Sequence, residues 1–356
     1  MAIHKQVVNL PLIFQLGTDI IKDIDKIFES KGIDFKNILI VTGSTYSKKI
    51  SNTINLKNII GYEIIIENTF EEADRISKIS NNNNIDLIIG VGGGKVLDVV
   101  KRVSYLNNID HISVPTIISN DGLISPISVL KNKYGLTESI GSTMPIGVVI
   151  DLNIIINSPI EYIQSAAGDI LSNMSATNDW LYAQRTKFEK IDDISFQLSR
   201  MSAHSSIYFN YVDLYSKNFI KMIVQGQLNS GIAMELSGTS RPCSGSEHLL
   251  SHAIDFLKLS NNRLHGFQVG VLSLFSLYLQ DELEDAVLTY ANKIQLPFSI
   301  ESICKTDKVT LLLLFSTSRK MRPGRTTIID KFTDDELLEK YNDYLNYCQK
   351  FYFINN

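Results

Sequence analysis

Strand and helix signals alternate along the chain up to Asp151 and then the strands stop, a break that constrains the fold more than any other feature. Residues 38–42 (ILIVT), 87–91 (LIIGV), 112–115 and 147–150 are short, apolar and mostly β-branched, the pattern of parallel strands covered on both faces. Helical spacing recurs between them, for example over 70–79 and 96–105. Strands separated by helices need crossover connections, which make the sheet parallel. Further on, Ser158-Pro159-Ile160-Glu161 combines an N-cap serine, a proline at the first helical position and a capping-box glutamate. Long helical stretches then follow over 169–188, 193–208, 214–236, 246–257, 266–279 and 335–352. The expected fold class is α/β plus all-α: a Rossmann-like parallel sheet in residues 1–158 and a helical domain in 159–356. A length of 356 residues agrees, because single cores stop growing at ~250–300 residues.

A net charge of −4 excludes a general nucleic-acid or anionic-membrane binder, since either would favour a basic face. An anionic small molecule stays open, because a few placed basic groups suffice to hold it. Cys243, Cys304 and Cys348 form no CxxC pair, which suits free thiols in a reducing compartment. The first residues, MAIHKQVVNLPLIF, lack the layout of a signal peptide, and no apolar run reaches the ~18–20 residues of a membrane span. The longest such run, 309–315, is expected as a buried helix segment. A cytoplasmic enzyme of small molecules is the resulting expectation.

Residues 89–98 (IGVGGGKVLD) leave a strand and enter a helix. Three successive glycines, Gly92, Gly93 and Gly94, remove every β-carbon, so backbone N–H groups can approach a phosphate at the positive end of the helix. The segment is neither a Walker loop, since Ile89 and Val96 stand where Gly and Ser/Thr are needed, nor the usual dinucleotide fingerprint, since Lys95 occupies the third glycine position. A tight turn without ligand is the bland alternative. A second loop, residues 115–122 (PTIISNDG), places hydroxyls and Asp121 at the end of the next strand, where open parallel sheets bind ligands. Taken alone it is equally an Asx-rich turn.

His248 and His252 stand at i and i+4, one turn apart on the same helical face. His265 follows a polar break at 260–263, and Asp169 opens an earlier helical stretch. One carboxylate and two imidazoles with an open position would suit Zn²⁺, Fe²⁺ or Ni²⁺ as a Lewis acid, and softness and spacing do not choose among them. Histidines that merely cap neighbouring groups are the alternative. His4, His111 and His204 are isolated and carry no expected role.

These segments together resemble the superfamily of dehydroquinate synthase-like and iron-type alcohol dehydrogenases, and within it the sn-glycerol-1-phosphate dehydrogenases. The match is carried by 90–101 (GVGGGKVLDVVK), 113–126 (SVPTIISNDGLISP), Gly168-Asp169, 239–252 (TSRPCSGSEHLLSH) and 265–270 (HGFQVG). The resemblance implies a dehydroquinate synthase-like two-domain fold and an NAD- or NADP-dependent oxidoreductase that needs one divalent metal. It implies that Gly92, Gly93, Gly94, Lys95 and Val96 hold the pyrophosphate, and that Thr116, Ser119 and Ser125 contact the nicotinamide side. Asp169, His248 and His265 would bind the metal, while Asp121, Asp169 and His252 would act at the substrate.

Two arginine-bearing segments, Ser240-Arg241-Pro242 and Arg322-Pro323-Gly324-Arg325-Thr326, resemble the glycerol-1-phosphate group. Arg241 and Arg325 are therefore expected on a substrate phosphate, with structural ion pairing as their alternative. The expected substrate is a triose phosphate, with unphosphorylated glycerol as the rival. A dehydroquinate-type cyclase and a non-catalytic relative are remoter readings. Relatives assemble, so a homo-oligomer is expected. Two departures bear on the pocket: Phe267 stands where relatives are often polar, and Thr42-Gly43-Ser44 lacks an acidic residue to grip a ribose hydroxyl, which leaves NADP open.

Overall fold

A computed structural model describes residues 10–261 and 263–355, so His4 lies outside the described residues. The chain divides into two compact units, Met1–Ser158 and Pro159–Asn356.

In the first unit the strands are β1 (Ile13–Gly17), β2 (Ile38–Gly43), β3 (Ile59–Ile65), β4 (Leu87–Gly92), β5 (Asp110–Pro115), β6 (Ile127–Lys131), β7 (Thr137–Gly141) and β8 (Gly147–Asp151). Six of them form a parallel sheet in the order β1-β8-β5-β4-β2-β3, and β6 and β7 form a separate antiparallel hairpin. The helices of this unit are α1 (Ile24–Lys31), α2 (Tyr46–Ser51), α3 (Phe70–Asn82), α4 (Gly94–Asn107) and α5 (Leu152–Ile156). Alternate strand residues feed two cores. Ile38, Ile40, Ile89 and Val91 join one, while Leu39, Val41 and Ile88 pack with Val99, Val100 and Val103 of α4 in the other. The four expected strands are all present. The edge strands β1 and β3 and the hairpin carried no expectation. β3 alternates half-buried with exposed residues, so it lacks the apolar run that marks a central strand.

From β2 the chain runs outward to β3, then returns past β2 to β4 and continues to β5 and β8. The loops after β2 and β4 therefore leave in opposite directions. The crevice opened at their carboxyl ends is the usual ligand position of such a sheet.

The second unit contains α6 (Ile160–Lys187), α7 (Asp193–Ile207), α8 (Lys217–Ser237), α9 (Ser246–Phe256), α10 (His265–Leu279), α11 (Asp285–Lys293), α12 (Lys308–Ser318) and α13 (Asp334–Asn355). Two expectations need correction. Asp169 does not open a helix but lies well inside the 28-residue α6. Ser158 does not cap that helix; its hydroxyl donates to the Ile155 carbonyl at 2.7 Å, closing α5, and Pro159 holds the N-cap position without a side-chain bond. The 309–315 run is indeed helical but only half buried. Leu311, Leu314 and Phe315 face the core, whereas Val309 is 74% exposed.

One fully buried cation ties the first unit together. Lys101 of α4 pairs with Asp98 at 2.8 Å, donates to the Gly122 carbonyl at 2.8 Å and also donates to the Ile127 carbonyl. The helix is thereby pinned to the loop after β5 and to the hairpin. Replacing Lys101 with Met leaves Asp98 buried without its partner, which costs about 3 kcal/mol. Thermal unfolding of K101M should begin several degrees lower, with faster amide exchange over 121–127; an unchanged midpoint would contradict this.

Candidate active site

The glycine turn begins where β4 ends. A Cβ on Gly92 would lie 2.7 Å from the Val96 side chain, and one on Gly93 would lie 2.7 Å from Ile117. At Gly94 a Cβ would meet nothing within 4 Å. The first two glycines thus answer to packing, while the third leaves an open cradle at the start of α4. The Gly94 and Lys95 amides fall in the first helical turn, before any intrahelical acceptor, and suit an anion. Val96 differs from expectation: its amide donates to the Gly93 carbonyl at 3.0 Å and its side chain is buried, so it has nothing to offer a phosphate. The Lys95 ammonium is turned to Glu67 at 3.1 Å, leaving its amide as the useful group.

The neighbouring β5 loop is tied to this turn, since the Thr116 amide donates to the Gly92 carbonyl at 3.0 Å. Asn120 accepts from the Gly122 amide at 2.9 Å, and the Ser125 amide donates to the Asp121 carbonyl at 3.0 Å. Thr116 and Ser125 are buried, and Ser119 and Asp121 partly so. Burial pushes the Asp121 carboxyl up to about 6 even though Lys101 pulls the other way; Asp98 adds a smaller upward push.

In the second unit, α6 and α10 touch backbone to backbone. A Cβ on Gly168 would sit 2.6 Å from the Gly266 carbonyl oxygen, and one on Gly270 would sit 2.8 Å from the Gly168 Cα. This crossing sets Asp169 beside His265, and α9 brings His248 alongside. Ligand atoms of Asp169, His248 and His265 lie within 4.8 Å of one another. His248 turns Nδ1 to the Glu247 carboxylate at 2.9 Å, leaving Nε2 for a ligand. His265 Nδ1 faces the Ser251 hydroxyl at 3.4 Å, and that hydroxyl donates to Gln268 at 2.9 Å. Burial pushes both imidazoles down to about 3, with Arg322 adding to the effect on each. They are therefore neutral, as ligands must be, and two neutral imidazoles with a carboxylate fit a divalent cation. His252 is not one of the three but lies beside them, its ring centroid 6.3 Å from that of His248 and 6.0 Å from that of His265; its Nε2 is 3.4 Å from Arg322, and burial holds it too in the neutral form.

Behind His248 lie two fully buried carboxylates that sequence reasoning missed. Glu247 accepts from the Gly245 amide at 2.6 Å and from Ser175 at 2.7 Å. Asp179 accepts from the amides of Ser246 at 2.6 Å and Ile328 at 2.7 Å. Burial raises the pKa of both, and for Asp179 repulsion from Glu247 raises it further. Gly245 lies between them; a Cβ there would be 2.5 Å from Asp179 and 2.9 Å from Glu247.

The arginines divide differently from expectation. Arg241 is buried and consumed, paired through two nitrogens with Glu189 and donating to the Thr326 carbonyl at 2.9 Å. Arg325 donates to the Ser244 carbonyl at 2.7 Å and to Ser240 at 3.0 Å, and Arg322 donates to Ser240 at 2.5 Å. Neither Arg322 nor Arg325 has a carboxylate within ion-pair distance among the described residues. Burial pushes the Arg325 guanidinium down to about 9 and also lowers that of Arg322. In place of the expected pair of Arg241 and Arg325, the arginines without a carboxylate partner are Arg325 and Arg322, from the same short segment.

A family model for iron-containing alcohol dehydrogenases matches residues 15–159. The glycerol-1-phosphate dehydrogenase (NAD(P)+) of Saccharolobus islandicus is 32% identical over 338 residues, covering 92% of this chain and 94% of that protein. The chain belongs to the glycerol-1-phosphate dehydrogenase family. The Thermoplasma volcanium member is also 32% identical, over 300 residues that cover 83% of this chain and 84% of its own. Solved structures extend the likeness in fold beyond the family. A probable glycerol dehydrogenase from Sinorhizobium meliloti superposes with a TM-score of 0.77 at 19% identity, covering 96% of this chain and 99% of that one. A sulfoacetaldehyde reductase from Bifidobacterium kashiwanohense in complex with NAD+ gives 0.72 at 16% identity, covering 97% and 99%. This member of the glycerol-1-phosphate dehydrogenase family therefore shares with these neighbours the parallel-sheet and helical plan described above.

Two outcomes follow from the geometry. Gly168→Ala places a methyl against a backbone carbonyl, so α6 and α10 must separate, at a cost of about 1–3 kcal/mol. Isothermal titration with Zn²⁺ should show at least ~10-fold weaker binding, and equal affinity would refute the crossing's role. Without cation, His248 and His265 titrate near 3 when folded against 6.5 unfolded, so the unfolded chain binds more protons in between. Their contribution to stability therefore rises with pH from about 3 to about 6.5 and is lost as pH falls. H265Q should flatten this dependence, narrowing the pH 4.5–7 difference in unfolding free energy by about 1–2 kcal/mol. Parallel curves for the two proteins would count against a neutral His265.

Proposed function

We propose that this chain interconverts dihydroxyacetone phosphate and sn-glycerol 1-phosphate by hydride transfer, using NAD(P)H and one divalent cation. The observation that carries this reading is the pair Arg322 and Arg325, partly buried without carboxylate partners next to the histidine cluster. Two desolvated guanidinium groups call for an anion, and planar donors suit a phosphate. Family membership supports the same substrate class, because the relatives compared above carry that activity in their names.

Asp169, His248 and His265 would hold the cation, whether zinc, nickel or iron, and Glu247 would keep His248 in the tautomer that offers Nε2. Gly93, Gly94 and Lys95 would hold the pyrophosphate through their amides, with Thr116, Ser119 and Ser125 along the nicotinamide side. When bound, the cation supplies Lewis acidity at the C2 oxygen and the reduced nicotinamide supplies the hydride. Arg322 and Arg325 would fix the phosphate and so orient the carbonyl. Asp121 would accept a hydrogen bond from the free hydroxyl of the substrate. His252, held neutral by burial, would hydrogen-bond the reacting oxygen and guide the proton that reaches it.

Purified protein with added divalent metal should oxidise NADH or NADPH when given dihydroxyacetone phosphate, followed at the reduced-nicotinamide absorbance band. D169N and H265A should lose bound metal together with more than ~100-fold of turnover. R325A should raise KM for dihydroxyacetone phosphate by at least ~10-fold while affecting dihydroxyacetone far less. Faster turnover of dihydroxyacetone by the unmodified protein would favour a glycerol dehydrogenase instead, and full activity after chelation would remove the metal from the scheme.

A further inference from the structure

We propose that Gln268 is a positioning residue for the cation site: through the Ser251 hydroxyl it keeps the His265 proton on Nδ1 and so presents a bare Nε2 to the metal. The inference rests on the reading that Asp169, His248 and His265 share one cation. A neutral imidazole has one proton for two nitrogens, and only the unprotonated nitrogen can coordinate. Which nitrogen that is depends on what the other one meets.

The two imidazoles of the cluster are held differently. His248 faces the Glu247 carboxylate through Nδ1 at 2.9 Å. An ionised carboxylate only accepts, so the proton belongs on that nitrogen. His265 faces the Ser251 hydroxyl through Nδ1 at 3.4 Å, and a hydroxyl can donate or accept. A third group has to decide the direction. The group in contact is Gln268, whose Oε1 lies 2.9 Å from the Ser251 oxygen.

That direction follows from the other end of the Gln268 amide. Its Nε2 donates to the Ser260 hydroxyl at 2.8 Å and to the Arg263 carbonyl at 3.5 Å, and the Asp255 carboxylate accepts from the same side chain. A backbone carbonyl and an ionised carboxylate only accept, so the amide end turned to them is the nitrogen and the end turned to Ser251 is the oxygen. Ser251 has a single proton, and it goes to that oxygen. The hydroxyl therefore meets His265 with a lone pair, which only an Nδ1–H can use. Ser251 and Gln268 are both buried, so bulk water does not compete for either group. Helical period supplies the placement: Ser251 stands three residues after His248 on α9, and Gln268 three after His265 on α10. A contact that merely stapled α9 to α10 would need the Ser251–Gln268 bond but not its direction.

The experiment reads the tautomer and the cation separately. In the full chain, freed of metal and labelled with ¹⁵N-histidine, long-range ¹H–¹⁵N correlation spectra at neutral pH should show His265, assigned by H265Q, with a protonated Nδ1 and a bare Nε2. Q268M keeps the length of the side chain but takes away the acceptor. The Ser251 proton is then free to turn to Nδ1, so the protonated nitrogen should change to Nε2, and Zn²⁺ affinity by isothermal titration should fall at least ~10-fold. S251A, which only removes an oxygen, should lose the preference for Nδ1–H and weaken Zn²⁺ by a similar factor. A protonated Nε2 in the unsubstituted chain overturns the proposal without recourse to any variant. An unmoved tautomer in Q268M, or unchanged Zn²⁺ affinity in both variants, overturns it too. If the unsubstituted chain binds no Zn²⁺, the cation reading fails by itself; a tautomer that moves in Q268M then still supports the Gln268 relay, and one that stays refutes it.

Discussion

The helical unit depends on a backbone contact rather than on a side chain: α6 and α10 approach so closely, Gly168 against the Gly266 carbonyl and against Gly270, that no β-carbon fits on Gly168 or Gly270. Asp169 follows the first of these glycines and His265 precedes the second. The residues proposed as ligands are thus chain neighbours of the residues that touch. A carboxylate from inside one helix and an imidazole from the start of another can share a cation only because the helices have nothing between them. Bulkier residues at the crossing would hold the helices at the ordinary interaxial spacing of ~8–10 Å.

Around that contact, burial does most of the electrostatic work. Glu247 and Asp179 are buried carboxylates whose oxygens accept from amides and a hydroxyl, so their desolvation is offset by hydrogen bonds. Glu247 in turn holds one nitrogen of His248. Toward His252 the charge is reversed, with Arg322 and Arg325 partly desolvated and supplied with only neutral acceptors. Buried cations left in this state cost stability unless an anion joins them. The asymmetry of acids behind His248 and bases beside His252 makes the cluster suited to a cation and an anionic substrate together. In the sheet unit Lys101 has a comparable organising part, since its three bonds join α4, the Asp121 turn and the hairpin.

Much of the fold was legible because its signals are local. Central strands announce themselves by apolar runs and the glycine turn by composition. The pairing of His248 with His252 follows from helical periodicity alone. Where the reading went astray, a competing partner decided, sometimes three residues away and sometimes far along the chain. Ser158 has the chemistry of a cap for α6, yet a carbonyl of the preceding turn captured its hydroxyl. Val96 belongs to the glycine motif, but the helix begins early enough to use its amide. Arg241 and Arg325 are equally plausible anion ligands on paper; Glu189, 52 residues from Arg241, consumes one of them. Glu247 escaped notice because adjacent residues on a helix point in different directions, so its reach back to His248 depends on the helix terminus and not on spacing.

The sequence by itself determined the class of fold, the place of the glycine turn and the set of residue types able to hold a metal. Those properties follow from hydrophobic period, from the absence of β-carbons and from the donor chemistry of single side chains. Only the tertiary structure decided which carboxylate meets which histidines, which arginines stay unpaired and which amides stay open to a ligand. The carboxylate, histidine and arginine partners are settled by competition among groups far apart in the chain, and the open amides by where the helix begins, neither of which the local pattern encodes.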